Sequence, residues 1–313
     1  MNRFTKFAWF ALGYNILVVL WGVFLRASRS GDGCGQHWLT CHGEIIPSAP
    51  EFKTVIEFSH RVTSGIAFLV VLALVVWAFR KFPKGHLIRK AAVVSFVFIV
   101  TEALVGAGLV LTGNTADAVT PYRPFWAMGH LINTFILLAA LSLTAWLATG
   151  DRKFGYHRDR IAMLLVVLSV IGLLLVGLSG SLAALSNMLF PSASIVEGIA
   201  KDFDAGSDIL VRLRLSHPIL SILVSVFVIF VAGWLKSRSG NNPSVSWWSN
   251  IVSILVLVQV AFGAATLLML GPIVMQVGHL LLADAIWIAF VLLCASYFLA
   301  DRRPDRSAVS GLP

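Results

Sequence analysis

The sequence carries one histidine-bearing segment twice, and each copy opens a long apolar run. The first copy, Glu57–Arg61, reads EFSHR and precedes the apolar run 62–77. The second copy, Arg214–Pro218, reads RLSHP and precedes the apolar run 219–234. A chain with this pattern is restricted to folds that contain two similar units.

Further pairs of matching residues are separated by the same number of residues as His60 and His217. That offset relates His60 to His217, Trp77 to Trp234, Glu102 to Gln259 and Gly106 to Gly263. Farther on, the stretch 128–131, Met-Gly-His-Leu, is answered by 277–280, Val-Gly-His-Leu, after a shorter connection. We therefore predict two tandem units, at residues 1–150 and 151–313.

Composition indicates that both units lie in a membrane. Apolar residues make up 58% of the chain, charged residues make up 12%, and the mean hydropathy is +0.86. Soluble domains carry about 25% charged residues. A spanning helix needs about 20 apolar residues, and such stretches occur at about 8–26, 57–79, 90–111, 125–148, 160–183, 215–235, 248–270 and 275–299. Because the strands of a membrane β-barrel are much shorter, we predict an all-α integral membrane protein with eight transmembrane helices.

Basic residues predict how these helices are oriented. Lysine and arginine are concentrated in the connections on one side, at 80–90, 152–160 and 302–306 among others. By the positive-inside rule this side and both termini are cytoplasmic, in a multi-pass protein of the cell membrane. The net charge of +9 then reflects topology and indicates no nucleic-acid site. Since four spans per unit is an even number, we predict two four-helix bundles related by a pseudo-twofold axis along the membrane normal.

The two ends of the chain and its longest outer loop are less informative. We interpret the first apolar run as an uncleaved span, because it is too long for the apolar part of a signal peptide. The polar tail 301–313 is expected to be disordered. The outer segment 184–213 is predicted as a loop without cysteine.

Four histidines are the candidate ligands of a metal centre. His60, His130, His217 and His279 all fall near the outer ends of predicted spans, where an ionisable side chain usually faces the bundle interior and serves a function. A single histidine of this kind is more often a packed core residue, but four that are paired by a repeat favour ligation. Two histidines on alternate helices of a bundle can hold a haem between them. The other histidines are assigned no role; they are His37, His42, His86 and His157.

The two units differ in the charged residues beside these histidines. Glu57 in the first unit corresponds to Arg214 in the second, and Glu102 corresponds to Gln259. A carboxylate beside a reacting group can accept a proton, which a pure electron-transfer haem does not need. The alternatives are that Glu57 stabilises the dipole of the first helical turn and that Glu102 only packs between helices.

Two cysteines lie in the first outer loop. Cys34 and Cys41 are predicted to face an oxidising compartment, where a disulfide persists. The bond either shapes the loop or exchanges electrons. The sequence C-x6-C-H does not match the C-x-x-C-H pattern of covalent haem attachment. Cys294 lies within the last span and is interpreted as an apolar packing residue.

The loop Gly-Cys34…Cys41-His-Gly, the motif Glu57-x-x-His60-Arg61 and the later histidines together resemble the haem A synthase family over essentially the whole chain. The resemblance implies oxidation of the C8 methyl group of haem O to the formyl group of haem A, which supplies cytochrome oxidase. It implies that His60 and His130 ligate the iron of haem O, with Arg61 binding this substrate and Glu57 catalytic. His217 and His279 would ligate a haem b cofactor, and the Cys34–Cys41 disulfide would bear on haem transfer.

Two departures and two rival functions accompany this resemblance. The second unit has no cysteine pair, and Pro218 stands where the family often has arginine, so Arg212 or Arg214 would have to replace that cation. The rivals are a bis-histidine b-type electron carrier and a haem-handling assembly or transport protein. The predicted partners are haem O synthase, oxidase assembly factors and the lipid bilayer, and a homo-oligomer is left open.

Overall fold

The computed structural model describes residues 1–150, 152–154 and 159–301, and eight long helices within them are apolar enough to cross a membrane. The predicted all-α class and the number of spans are therefore confirmed. The spanning helices are α1 (Arg3–Ala27), α2 (Phe52–Lys81), α3 (Leu87–Leu111), α4 (Arg123–Leu147), α5 (Arg160–Leu189), α8 (Ser216–Arg238), α9 (Pro243–Leu268) and α10 (Ile273–Phe298). Two short helices, α6 (Ile195–Phe203) and α7 (Ile209–Leu213), lie between α5 and α8.

A short antiparallel ladder joins the connection between the units to the end of the last helix. Its strands are β1 (Arg152–Phe154) and β2 (Leu299–Asp301). The predicted disordered tail lies outside the described residues from position 302 onward, and so does His157.

Helix α2 begins earlier than predicted, which changes the position of Glu57. The helix starts at Phe52, and no proline occurs between Pro50 and Pro83 to interrupt it. Glu57 therefore lies in the second turn, and the first turn contains no acidic residue. Because the field of the helix dipole is concentrated at the first turn, the helix-dipole interpretation of Glu57 is wrong.

The segment predicted as a long outer loop contains helical structure. Helix α5 continues to Leu189, two residues before Pro191, and α6 and α7 follow it. Helix α7 ends at Leu213 and α8 begins at Ser216, so the helix is interrupted just before Pro218. A proline ring clashes with the carbonyl group four residues earlier, here that of Arg214, and the interruption falls at this place.

Buried apolar side chains form two clusters that follow the two halves of the chain. The first draws on α1 to α4, with Leu74 and Leu141 among its fully buried members. The second draws on α5, α8, α9 and α10, with Val228 and Val252 among its members. Helix α10 also packs against α1 and α4 and contributes Trp287 to the first cluster. The two separate bundles and their pseudo-twofold axis therefore stay a prediction.

Candidate functional site

The four histidines of the repeat lie near the same end of the spanning helices. His60 lies eight residues after the first residue of α2, and His217 is the second residue of α8. His130 and His279 lie seven and six residues after the first residue of α4 and α10. Because a helix rises about 1.5 Å per residue, each histidine lies within about 12 Å of the beginning of its helix.

His217 and His279 lie next to each other in the second unit. Their ring centroids are 6.2 Å apart, and their ring planes are nearly perpendicular, at 88°. Two metal–imidazole bonds of about 2.0–2.1 Å, with roughly 1 Å from each nitrogen to its ring centre, span about 6 Å. The separation therefore matches that of two imidazoles bound to opposite sides of one metal ion.

Glycines on neighbouring helices pack against three of the four imidazole rings. A Cβ atom at Gly180 would come within 2.9 Å of His217, and one at Gly263 would come within 2.8 Å of His279. In the first unit a Cβ atom at Gly22 would lie 3.0 Å from His60. Any larger residue at these glycines would displace a ring. Gly106, the counterpart of Gly263, differs because a Cβ atom there would meet no described atom within 4 Å.

The polar groups that contact the second pair are neutral. The hydroxyl oxygen of Ser179 lies 3.3 Å from Nδ1 of His217. The amide nitrogen of Gln259 lies 3.4 Å from Nε2 of His279 and donates a hydrogen bond of 3.1 Å to the carbonyl group of the same residue. The second site therefore combines two imidazoles with uncharged neighbours.

The first pair has a carboxylate beside it. Oε1 of Glu102 lies 3.5 Å from Nδ1 of His130. Within the described residues, Nδ1 of His60 and Nδ1 of His130 are buried without a hydrogen-bond partner, so the contact between Glu102 and His130 is electrostatic and slightly longer than a good hydrogen bond. His60 lies close enough to His130 and Glu102 to interact with both electrostatically.

Two residues of α4 hold Glu102 in place, and sequence analysis did not identify them. Asn133 donates to Oε2 of Glu102, and Thr134 donates to Oε1 at 2.5 Å. Asn133 is itself fixed, because it also donates to the carbonyl group of Phe98 at 2.8 Å. Both residues lie on the helical face of His130, three and four positions after it. Polar residues at this spacing in an apolar helix are the signal that could have identified them.

Glu57 connects α2 to the loop that carries the cysteines. Its carboxylate is only 3% exposed and accepts hydrogen bonds from the backbone N–H of Cys34, at 2.8 Å, and from Arg61. Arg61 in turn donates to the carbonyl groups of His37, at 2.6 Å, and Thr40, at 2.8 Å. The predicted catalytic acid and the predicted substrate-binding arginine are thus paired with each other and with the loop.

The cysteine loop is seated closely on the beginning of α2. Cys34 and Cys41 are joined by a disulfide with an S–S distance of 2.07 Å. The carbonyl group of Gly33 accepts hydrogen bonds from the Thr54 hydroxyl, at 2.6 Å, and from the His42 ring, at 2.9 Å. Cys294 lies apart in α10 and forms no disulfide.

The second unit ties its outer loop to the histidine helix with the charges exchanged. Arg214, the counterpart of Glu57, forms a salt bridge with Asp202 and donates to the carbonyl group of Gly198 at 2.6 Å. Arg214 also donates to the side chain of Asn187 at 3.1 Å. The same position of the repeat therefore anchors the preceding loop in both halves of the chain.

A haem suits these donors. The described residues contain no group of three or more histidine, cysteine, aspartate or glutamate side chains that could hold a metal ion. A haem needs only two axial ligands from the protein, since its macrocycle supplies the remaining ones. The unpartnered Nδ1 atoms of His60 and His279 and the glycine contacts of three rings fit such a group.

Residues 5–291 match the family described as cytochrome oxidase assembly protein, COX15-CtaA. The chain belongs to this family of cytochrome oxidase assembly proteins. The match extends from α1 into α10 and includes all four histidines.

Individual relatives of the cytochrome oxidase assembly family carry two different names. A Thermus thermophilus protein named protoheme IX farnesyltransferase is 45% identical over 295 residues, which cover 94% of this chain and 48% of that protein. A heme A synthase of Bacillus cereus is 26% identical over 308 residues, which cover 96% and 95% of the two chains. A heme A synthase of Exiguobacterium is 34% identical over 161 residues, or 51% of each chain. The chain thus spans about half the length of the first relatives that it matches.

Proposed function

We propose that the chain is a haem A synthase, a membrane enzyme that oxidises the C8 methyl group of haem O to the formyl group of haem A. The observation that carries the proposal is the contrast between two histidine pairs near the beginnings of their helices. One pair lies beside a carboxylate, and the other lies beside neutral groups. Membership of a cytochrome oxidase assembly family and the relatives named heme A synthase support the same function.

In this proposal the second unit, 151–313, holds a haem b cofactor and the first unit, 1–150, holds the substrate. His217 and His279 would hold haem b, and their centroid distance of 6.2 Å supports this role. His60 and His130 bind the iron of haem O. A bound haem supplies the redox chemistry of its iron, while the protein supplies position and charge.

Glu102 is proposed to orient His130 toward the substrate. A metal-ligating histidine commonly presents its other ring nitrogen to a carboxylate, which fixes the ring and strengthens the ligand. Glu102 lies beside Nδ1 of His130, so Nε2 is the nitrogen that remains for iron. Asn133 and Thr134 keep the carboxylate in this place.

Glu57 and Arg61 are proposed to act on the substrate from the same pair. Oxidation of a methyl group to a formyl group adds one oxygen atom and releases four protons and four electrons, at the oxidation level of water, so an electron acceptor outside the chain is required. The Glu57 carboxylate, three residues before His60, is the proposed proton acceptor. Three of the five N–H donors of Arg61 are engaged by Glu57, His37 and Thr40. The remaining two are available for a carboxylate group of the haem.

We also propose a protoheme farnesyltransferase as the partner that supplies haem O. The Thermus relative bears that name, and this chain matches only 48% of it. The shared name and this partial match support farnesylation of protohaem as the reaction that supplies the substrate. We further propose that the chain lies in the cell membrane with both termini on the cytoplasmic side.

Haem extraction provides the test of the proposed function. Cells that make haem O but lack their own haem A synthase would express the chain, and haems B, O and A would be separated and identified by mass. We expect haem A with the intact chain and only haems B and O with His60→Ala. His86→Ala is the matched control, since His86 caps α3 away from the four histidines. Haem-loaded protein without any haem A would favour the electron carrier.

A further inference from the structure

The short helix α6 presents an exposed apolar face. Val196, Ile199 and Phe203 are spaced by three and four residues, so they lie on one side of the helix. They are 78%, 52% and 73% exposed respectively. Such a face is costly in water, and the described part of the chain does not cover it.

The opposite face of α6 is polar and touches the protein only in part, through Asp202 and Gly198. Glu197 and Lys201 form a salt bridge of 2.6 Å, and the hydrogen bond from Lys201 lowers the pKa of Glu197, so this face stays charged. Asp202 and the carbonyl group of Gly198 are both bound by Arg214. These contacts fix which side of the helix faces the protein and which side faces away.

The contacts of Arg214 also fix the height of α6 relative to the membrane. Arg214 belongs to the apolar span Ile209–Arg238, close to its outer end. A helix bound to this residue lies at the level where the span leaves the hydrocarbon region. The exposed apolar residues Ile209 and Leu213 on α7 continue the surface at the same level.

From these observations we propose that α6 lies in the plane of the outer membrane–water interface, with Val196, Ile199 and Phe203 inserted among the lipid acyl chains. Amphipathic helices at this position bury their apolar face about 5–10 Å below the headgroups. The polar face, bound to Arg214, then holds the outer loop of the second unit against the membrane surface. This inference does not depend on the proposed enzymatic function.

Spin labels on the two faces of α6 test the proposal in the full chain. A nitroxide would be attached at Ile199→Cys and, as the matched control, at Lys201→Cys, in a Cys294→Ala background reconstituted in phosphatidylcholine vesicles. We expect the label at 199 to be more accessible to oxygen than to a water-soluble nickel chelate, and the label at 201 to show the reverse. Preferential nickel access at position 199 would overturn the proposal.

A third possible outcome of the spin-labelling experiment would also overturn the proposal that α6 lies in the membrane interface. A label at position 199 that is shielded from both oxygen and nickel would mean that protein, such as a second copy of the chain, covers the face. Size-exclusion chromatography and helix content by circular dichroism check that both labelled variants keep the fold of the parent.

Discussion

The two units position their histidines alike and surround them with opposite chemistry. In the first unit a carboxylate oxygen of Glu102 lies 3.5 Å from His130, and in the second an amide nitrogen of Gln259 lies 3.4 Å from His279. The residue that anchors the outer loop is acidic in the first unit and basic in the second. In the function proposed above, this contrast corresponds to haem binding in both units and oxidation in the first alone.

The packing of one of the four rings also differs between the units. His279 rests on Gly263, whereas the corresponding glycine of the first unit, Gly106, does not touch His130. The His130 side chain is 35% exposed, and the other three histidines are also partly exposed. The repeat therefore keeps its glycine contact at His279 and lacks it at His130.

The largest effect is expected from removing the axial ligands of the second unit. His217→Ala or His279→Ala should abolish the low-spin b-type absorption spectrum of the purified protein, because each removes one of two imidazoles that hold the iron. His60→Ala and His130→Ala are the matched variants and should leave most of this spectrum unchanged. Full haem retention in both second-unit variants would contradict the assignment.

Glu57→Gln should lower the conversion of haem O to haem A about 10²–10⁴-fold, the usual cost of losing a general base. Glutamine keeps the shape of the side chain and can still accept the Cys34 N–H, so helix α2 and the resident haem should be retained. Haem O or a hydroxylated intermediate should accumulate, as measured by mass spectrometry.

Two controls separate catalysis by Glu57 from loop anchoring. Arg214→Gln breaks the corresponding tie in the second unit and should affect haem b retention more than haem A formation. Thr54→Val removes another contact that holds the loop, the hydrogen bond to the carbonyl group of Gly33, but leaves the Glu57 carboxylate. If Thr54→Val and Glu57→Gln lower haem A formation equally, Glu57 acts as a loop anchor and the catalytic role is lost.

Glu102→Gln should reduce haem A formation by about 10–100-fold, as is typical when the carboxylate behind a metal-ligating histidine is removed. The Glu102→Gln substitution also gives the first unit the neutral amide that the second unit has at Gln259.

The opposite substitution, Gln259→Glu, should lower the reduction potential of the resident haem, because a negative charge stabilises oxidised iron. Potentiometric titration of both variants gives a readout besides activity, and an unchanged potential in Gln259→Glu would argue against the influence of this position on the ligand.

The smallest effect is expected from the disulfide. Replacing Cys34 and Cys41 by serine should leave membrane insertion and helix content unchanged, because a short loop closure contributes modestly beside eight packed spans. Haem A formation should fall only in part, since Thr54 and Glu57 still hold the loop. Failure of the double variant to insert would instead assign the disulfide a structural role.

The number of spans and the placement of the histidines near helix beginnings could be predicted because both are encoded along the chain. Apolar runs set the helices, and the matched histidines His60 and His217 both fall near the beginning of a spanning helix. The interruption before Pro218 follows from a local rule about proline and could also have been predicted.

The hydrogen bond between Glu57 and the cysteine loop could not be predicted from sequence. It depends on how residues 33–41 fold back onto α2, which no periodicity specifies. The hydrogen bonds that hold Glu102 could not be predicted either, because Asn133 and Thr134 reach its carboxylate only when α3 and α4 pack together. Helix α6 was missed because its nine residues are too few to form a span-like run.

The position of α10 has a consequence for the order in which the protein matures. Trp287 of α10 donates its indole N–H to the backbone carbonyl group of Phe135 at 2.7 Å. The two aromatic rings also stack, with their centroids 5.3 Å apart. Since α10 follows the other described helices in the chain, the first unit, although made first, lacks part of its own interior until α10 has been made. We therefore expect the site at His60 and His130 to become competent only after α10 is in place, and a chain truncated before α10 to be digested by protease within its first half.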